Sequence, residues 1–186
     1  MINTLPNIRL KEETKTAHQA LEKKVILQLK AIRSEADYAS FIRSFYLYFN
    51  ALEQKLAAYI NDKVVPDLAL RRNSSYLKAD LHELGFNDKQ EKVLELPTIK
   101  SLAQALGAMY VMEGSIMGGP IIVEMLRKHG LTTGFNFFSG YGAETRNMWN
   151  NFVTVLNERL KSVSLQQEAV DTASETFEKF QLVFEA

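Results

Sequence analysis

Apolar residues return every third or fourth position along most of the chain, the period of helices buried on one face. Leu10, Ala17, Leu21, Val25 and Leu29 set this rhythm in a first helix from about Leu5 to Leu29. Asp37 can cap a second helix through "YASFIRSFYLYFNALEQKLAAYI", whose apolar face is crowded with aromatic rings. A shorter helix runs from about Ser74 to Leu84 and stops at Gly85. Thr98 or Ser101 opens an apolar segment that ends near His129 and Gly130, and "TTGFNFFSGYG" then reads as a loop. Two further helices, about Ala143–Lys161 and Leu165–Phe184, close the pattern. No stretch alternates Val, Ile and Thr with period two, and no repeat or linker intervenes. The pattern predicts an all-α bundle of about six helices, one domain spanning residues 1–186.

The most apolar part of the chain is "GAMYVMEGSIMGGPIIVEML", Gly107 to Leu126. Ser101–Leu126 is long enough to cross a bilayer, but Glu113 near its centre and the amphipathic neighbours favour a helix buried at the centre of the bundle. Gly114 and Gly118 lie one above the other on such a helix, and Gly119 widens the bare patch. Two readings are open. Small residues let a second helix approach closely, or they let a flat ligand lie against the backbone. Pro120 removes a hydrogen bond to the Ile116 carbonyl and disfavours helical geometry at Gly119, which predicts a kink here.

Composition narrows the field. Twenty-two basic residues balance twenty-two acidic ones, so no global charge recruits nucleic acid or an anionic membrane. The start, "MINTLPNIRLKEE", has no basic region followed by an apolar one, and a cytoplasmic location is expected. The chain has no cysteine, which excludes disulfides, thiolate metal sites and a thiol nucleophile.

In "LKEETKTAHQALE", Lys11, Lys15, His18 and Glu22 follow one another at steps of four, three and four, along one stripe of the first helix. Such a stripe is commonly a solvated face. It also has a chemical logic: imidazole can bind a metal, and a carboxylate one turn on can accept its other ring proton. The lysines would then neutralise carboxylates of a bound anion. His82 reads as a surface residue and His129 as a helix-terminal one. Trp149, Phe152 and Leu156 read as core, as does most of "FIRSFYLYF", some of whose rings could wall a pocket.

"LKEETKTAHQALE" followed some ninety residues later by "YVMEGSIMGGPII" resembles the bacterial heme oxygenases, the biliverdin-producing enzymes linked to phytochromes or to heme-iron release. "FYLYFNALE", "RRNSSYLKADLHELG" and "FFSGYGAETRNMWNNF" are similar to that family's intervening segments, in order. The resemblance implies His18 as proximal iron ligand with Glu22 behind it, and Lys11 and Tyr110 on the heme propionates, with Lys15 a further candidate. Gly114, Ser115, Gly118 and Gly119 would form a kinked distal helix over the porphyrin. Ser115 stands where the mammalian enzymes carry an aspartate, while Pro120 and Arg146 depart from residues usual in the family. Lys179 is a further candidate for a propionate in the last helix. The implied reaction cleaves heme with dioxygen and electrons from an external donor, giving biliverdin, carbon monoxide and ferrous iron. Implied partners are heme, a ferredoxin or reductase, and a biliverdin acceptor protein. A heme carrier or sensor without turnover is the alternative. A di-iron carboxylate site is disfavoured, since no histidine follows a glutamate by three residues.

Overall fold

The computed structural model describes residues 4–86 and 93–185. Among these residues the regular elements are eight α-helices and three 3₁₀ turns, with no strand. The α-helices are α1 (Pro6–Glu13), α2 (Lys15–Ala31), α3 (Glu35–Leu56), α4 (Ser74–Glu83), α5 (Leu102–Gly114), α6 (Gly119–Lys128), α7 (Thr145–Arg159) and α8 (Val163–Leu182).

Three helices begin at a serine whose hydroxyl accepts a backbone N–H of the first turn: Ser34 from Asp37, Ser101 from Gln104, and Ser162 from Leu165. Asp37 therefore does not cap α3 as the sequence suggests. It lies within the first turn and accepts the Arg33 N–H outside the helix. The expected first helix is divided at Thr14. The buried Thr14 hydroxyl bonds back to the Leu10 carbonyl at 2.7 Å, sharing that acceptor with the Thr14 N–H, and φ −93°, ψ 1° end α1 there.

α5 and α8 form the spine. They meet at Gly107, where a Cβ would overlap the Ala169 carbonyl oxygen and stand 2.9 Å from its carbon. Close approach of two helices therefore accounts for this glycine. α3 adds an aromatic share of the core with Phe41, Phe45 and Phe49 along one face. The Phe45 ring meets Phe180 of α8 edge-on at 4.9 Å, and Tyr48 stacks on Phe180 at 4.7 Å. Such offset and edge contacts hold rings at fixed angles. Leu102–Lys128 is long and apolar enough to cross a membrane, but half of its most apolar window is buried inside the bundle.

Candidate active site

A cavity of about 480 Å³ opens between two walls, within the range of roughly 300–1,000 Å³ typical of cofactor-sized pockets. One wall comes from the end of α1 and from α2, and carries Lys11, His18 and Glu22. The other comes from α5, the 3₁₀ turn Ser115–Gly118 and α6, and carries Tyr110, Gly114, Ser115 and Gly118. Phe45, Phe177, Phe180 and Trp149 complete an apolar interior. His18 is the only histidine in the lining, its ring 5.3 Å from that of Phe177. Among the described residues, Lys11 is the only lysine or arginine there.

Some sequence candidates fall elsewhere. Lys15, in the first turn of α2 just past the break at Thr14, is exposed and does not line the cavity. Lys179 pairs with Glu95 and is also outside the lining. His82 and His129 are exposed, and His129 caps α6. Trp149, read as core, packs against it and also lines the cavity, its ring 5.6 Å from that of Tyr110.

The glycines separate cleanly. Gly114, Gly118 and Gly119 have φ of −61°, −84° and −54°, values open to any residue, so only space can require glycine. At Gly118 a Cβ would meet nothing within 4 Å, and the residue faces the cavity. At Gly114 it would touch the Trp149 ring at an ordinary 3.8 Å. At Gly119 it would overlap the Phe138 carbonyl oxygen and stand 3.0 Å from the carbonyl carbon. Gly119 is thus a packing glycine against the 134–138 loop and not part of the pocket surface, which corrects its expected place over the ligand. The irregularity of the helix also differs from the expected proline kink. It is the 3₁₀ turn at Ser115–Gly118, and Pro120 sits in the first turn of α6, where its missing N–H costs little.

Behind this wall lies a charged network that the periodicity of the chain does not disclose. Arg71 pairs with Glu113 at 2.6 Å and with Asp67 at 2.7 Å, its side chain 2% exposed. Arg72 donates to the Ser115 hydroxyl and to the Phe137 carbonyl, each at 2.6 Å, and its guanidinium lies 3.8 Å over the Phe137 ring. Tyr141 accepts the Arg72 backbone N–H and donates toward Glu113. Burial pushes the Arg72 guanidinium down to about 10, while the charges of Glu113 and Tyr141 pull it up, so it remains a cation at neutral pH. Burial pushes the Glu113 carboxyl up, and the two guanidiniums work against that push. One signal was present in the sequence: a carboxylate at the heart of an apolar helix requires a buried cation, and the adjacent Arg71 and Arg72 provide two.

An all-helical bundle thus holds an apolar slot with one imidazole on one wall and bare backbone on the other. Residues 7–186 match the heme oxygenase family, and the chain belongs to that family. It is 30% identical to the heme oxygenase of Xanthomonas campestris over 145 residues, 77% of this chain and 86% of that one. It is 28% identical to the heme oxygenase PigA of Pseudomonas aeruginosa over 180 residues, 92% and 87% of the two chains. The fold resembles that of the Neisseria meningitidis heme oxygenase solved with NO and CO bound, with a TM-score of 0.85 at 22% identity over 98% and 91% of the chains. It also resembles heme oxygenase-1 of the cyanobacterium Synechocystis in complex with heme, with a TM-score of 0.74 at 19% identity over 98% and 91%.

Proposed function

We propose that the cavity receives heme between α2 and the Ser115–Gly118 turn, with His18 as the residue that would hold its iron, and that the protein cleaves it to biliverdin. One observation carries this reading: the single cavity-lining imidazole and the unfilled space at Gly118 lie on opposite walls of an apolar slot. The bound heme supplies the iron at which dioxygen is reduced, and its own ring is opened to biliverdin, carbon monoxide and ferrous iron.

The protein's residues bind, orient and exclude. Glu22, one turn from His18, is placed to accept the second ring proton and so fix the imidazole's orientation. Lys11 and Tyr110 are the polar groups suited to the two propionates, one by charge and one by its hydroxyl. Phe45, Phe177 and Phe180 keep water from the buried side.

Ser115 has a restricted role. A hydroxyl has one proton and two lone pairs. Its proton is directed to the Met112 carbonyl at 2.6 Å, and one lone pair is taken by Arg72. What remains for the pocket is a single acceptor. A water bound there donates one hydrogen to Ser115 and can present the other to the substrate, which suits proton delivery. Electrons come from a ferredoxin or a reductase, since the chain has no cysteines for an iron–sulfur cluster and no nucleotide-binding fingerprint. We place the reaction in the cytoplasm, with a biliverdin acceptor as the further partner.

Trp149, the only tryptophan, lines the cavity and reports on occupancy. Hemin titration is expected to quench its fluorescence with a one-to-one end point. Adding ascorbate in air should then convert the Soret band to biliverdin absorption, whereas a carrier would keep that band. In His18→Ala the quenching can survive, but the histidine-ligated ferrous–CO spectrum should vanish. Persistence of that spectrum would overturn the assignment of His18.

A further inference from the structure

The buried carboxylate of Asp80 lies in α4, outside the cavity, and the reading above gives it no part. Its side chain is fully buried, and its oxygens accept three N–H groups from one loop. Oδ1 takes the Asn136 backbone and side-chain nitrogens, both at 2.8 Å, and Oδ2 takes the Phe137 backbone N–H at 2.9 Å. Glu83, one turn on, accepts from Gly134 N–H at 3.0 Å and from the Asn136 side chain at 2.8 Å. Tyr38 donates to the Gly134 carbonyl from α3. A short surface loop seldom needs so many anchors for its own sake.

The loop's other side shows what the anchors serve. The Phe137 carbonyl accepts from Arg72, whose second nitrogen holds Ser115. The next carbonyl, that of Phe138, is the surface against which Gly119 is pressed. Gly140, two residues further, lies so near Ile116 that a Cβ there would stand 3.1 Å from its side chain. The segment 136–140 thus packs beside Ile116 within the Ser115–Gly118 turn and against Gly119 just after it.

Resting on the heme oxygenase reading, we propose that Asp80 is a positioning residue for the pocket wall: it fixes the 136–138 backbone, which in turn sets Arg72, Ser115 and Gly119. The route contains no free rotor. Each Asp80 oxygen holds a backbone N–H, and the same short stretch of main chain presents the carbonyls that meet Arg72 and Gly119. Loss of one acceptor shifts that main chain, and the Ser115 oxygen moves with it.

Asp80→Asn keeps the shape but replaces one acceptor oxygen with a donor that faces an N–H. The readout is the C–O stretching band of the ferrous–CO complex, which senses polar groups near the ligand, together with the biliverdin rate. We expect near-native helicity and hemin affinity, a shifted and broadened CO band, and a fall of about tenfold in kcat with little change in KM, because sub-ångström to ångström misplacement acts on the reacting geometry. Gln166→Ala, which removes a buried bond to the Leu160 carbonyl in the α7–α8 connection, serves as a control for destabilisation alone and should leave the CO band unchanged. In a Ser115→Ala background, Asp80→Asn should lose most of its effect on the band, as expected for residues acting in series. If Asp80→Asn does not fold, Asn136→Ala loosens the same clasp from its exposed side and should move the band in the same direction by a smaller amount. A native CO band in the folded Asp80 or Asn136 variant overturns the proposal, as does an equal shift with and without Ser115. Either result leaves the heme reading standing, whereas absence of hemin binding in the parent protein removes that reading itself.

Discussion

At positions 118 and 119 two neighbouring residues without side chains look in different directions, and substitution separates their roles. Gly118→Leu adds a side chain into open space, so stability should hold while hemin binding or biliverdin formation falls sharply. Gly119→Ala forces a methyl onto the Phe138 carbonyl and is expected to cost about 1–3 kcal/mol in the folding equilibrium, the usual cost of overpacking. Urea unfolding of the apoprotein and hemin titration of both variants check the pair. Equal loss of stability in the two would mean that the cavity wall is closed at Gly118. Glu22→Gln is a second test at this scale. Heme should remain bound, but an amide accepts the imidazole proton less well, so the iron–histidine stretch should fall in frequency and the reduction potential should rise. Parent-like values of both quantities would exclude Glu22 as the acceptor.

The helical elements were readable because their start signals are local. Ser101 and Ser162 precede apolar periodicity, and Gly85 and Gly130 adopt φ of 77° and 84° where α4 and α6 give out. The division at Thr14 was not readable, since it depends on a hydroxyl choosing the carbonyl behind it over solvent. The site was half legible for a related reason. His18 and Glu22 share a stripe of α2 that spacing reveals, and Lys11 lies one turn before α2 across the break at Thr14, whereas Arg72 reaches Ser115 from 43 residues away and only the fold brings them together. The element most dependent on such distant support is α5, whose Glu113 is held by Arg71. Removing one partner of a buried pair typically costs about 3–5 kcal/mol. Glu113→Leu should fall near the lower end, because Asp67 still pairs with Arg71. The double variant Arg71→Met/Glu113→Leu should recover part of that loss in urea unfolding. Additive losses would show that the two side chains stabilise the fold separately.

For the molecule as a whole, the cavity makes stability a function of what fills it. A ligand that binds only the folded state stabilises by about 2.7 kcal/mol when free at a hundredfold excess over its Kd. For a chain of this length each kcal/mol moves Tm by about 2–4 °C, so saturating hemin should raise the unfolding midpoint by roughly 5–11 °C. The same addition to a Gly118→Leu variant that no longer binds should leave it unmoved, which differential scanning fluorimetry can check. The all-α bundle was evident from periodicity because its core is built from the faces that the pattern marks, such as Phe45, Phe49 and Phe180. The cavity was not, because periodicity marks a residue as apolar without telling whether protein or ligand covers it; Trp149 is the case in point.

The break at Thr14 places Lys11 and His18 on separate levers. α1 leans on α7 and α8 through its own contacts, among them the Asn7 backbone bond to the Asn157 side chain at 3.1 Å. α2 rests on α8, α3 and α6. On the proposed heme reading, Lys11 would meet the rim of the bound disc from α1 and His18 its centre from α2, so substitutions in α1 would reach the rim contact first. The orientation of the disc and the hold on its iron would then answer to substitutions in different helices, each of which leans on α8.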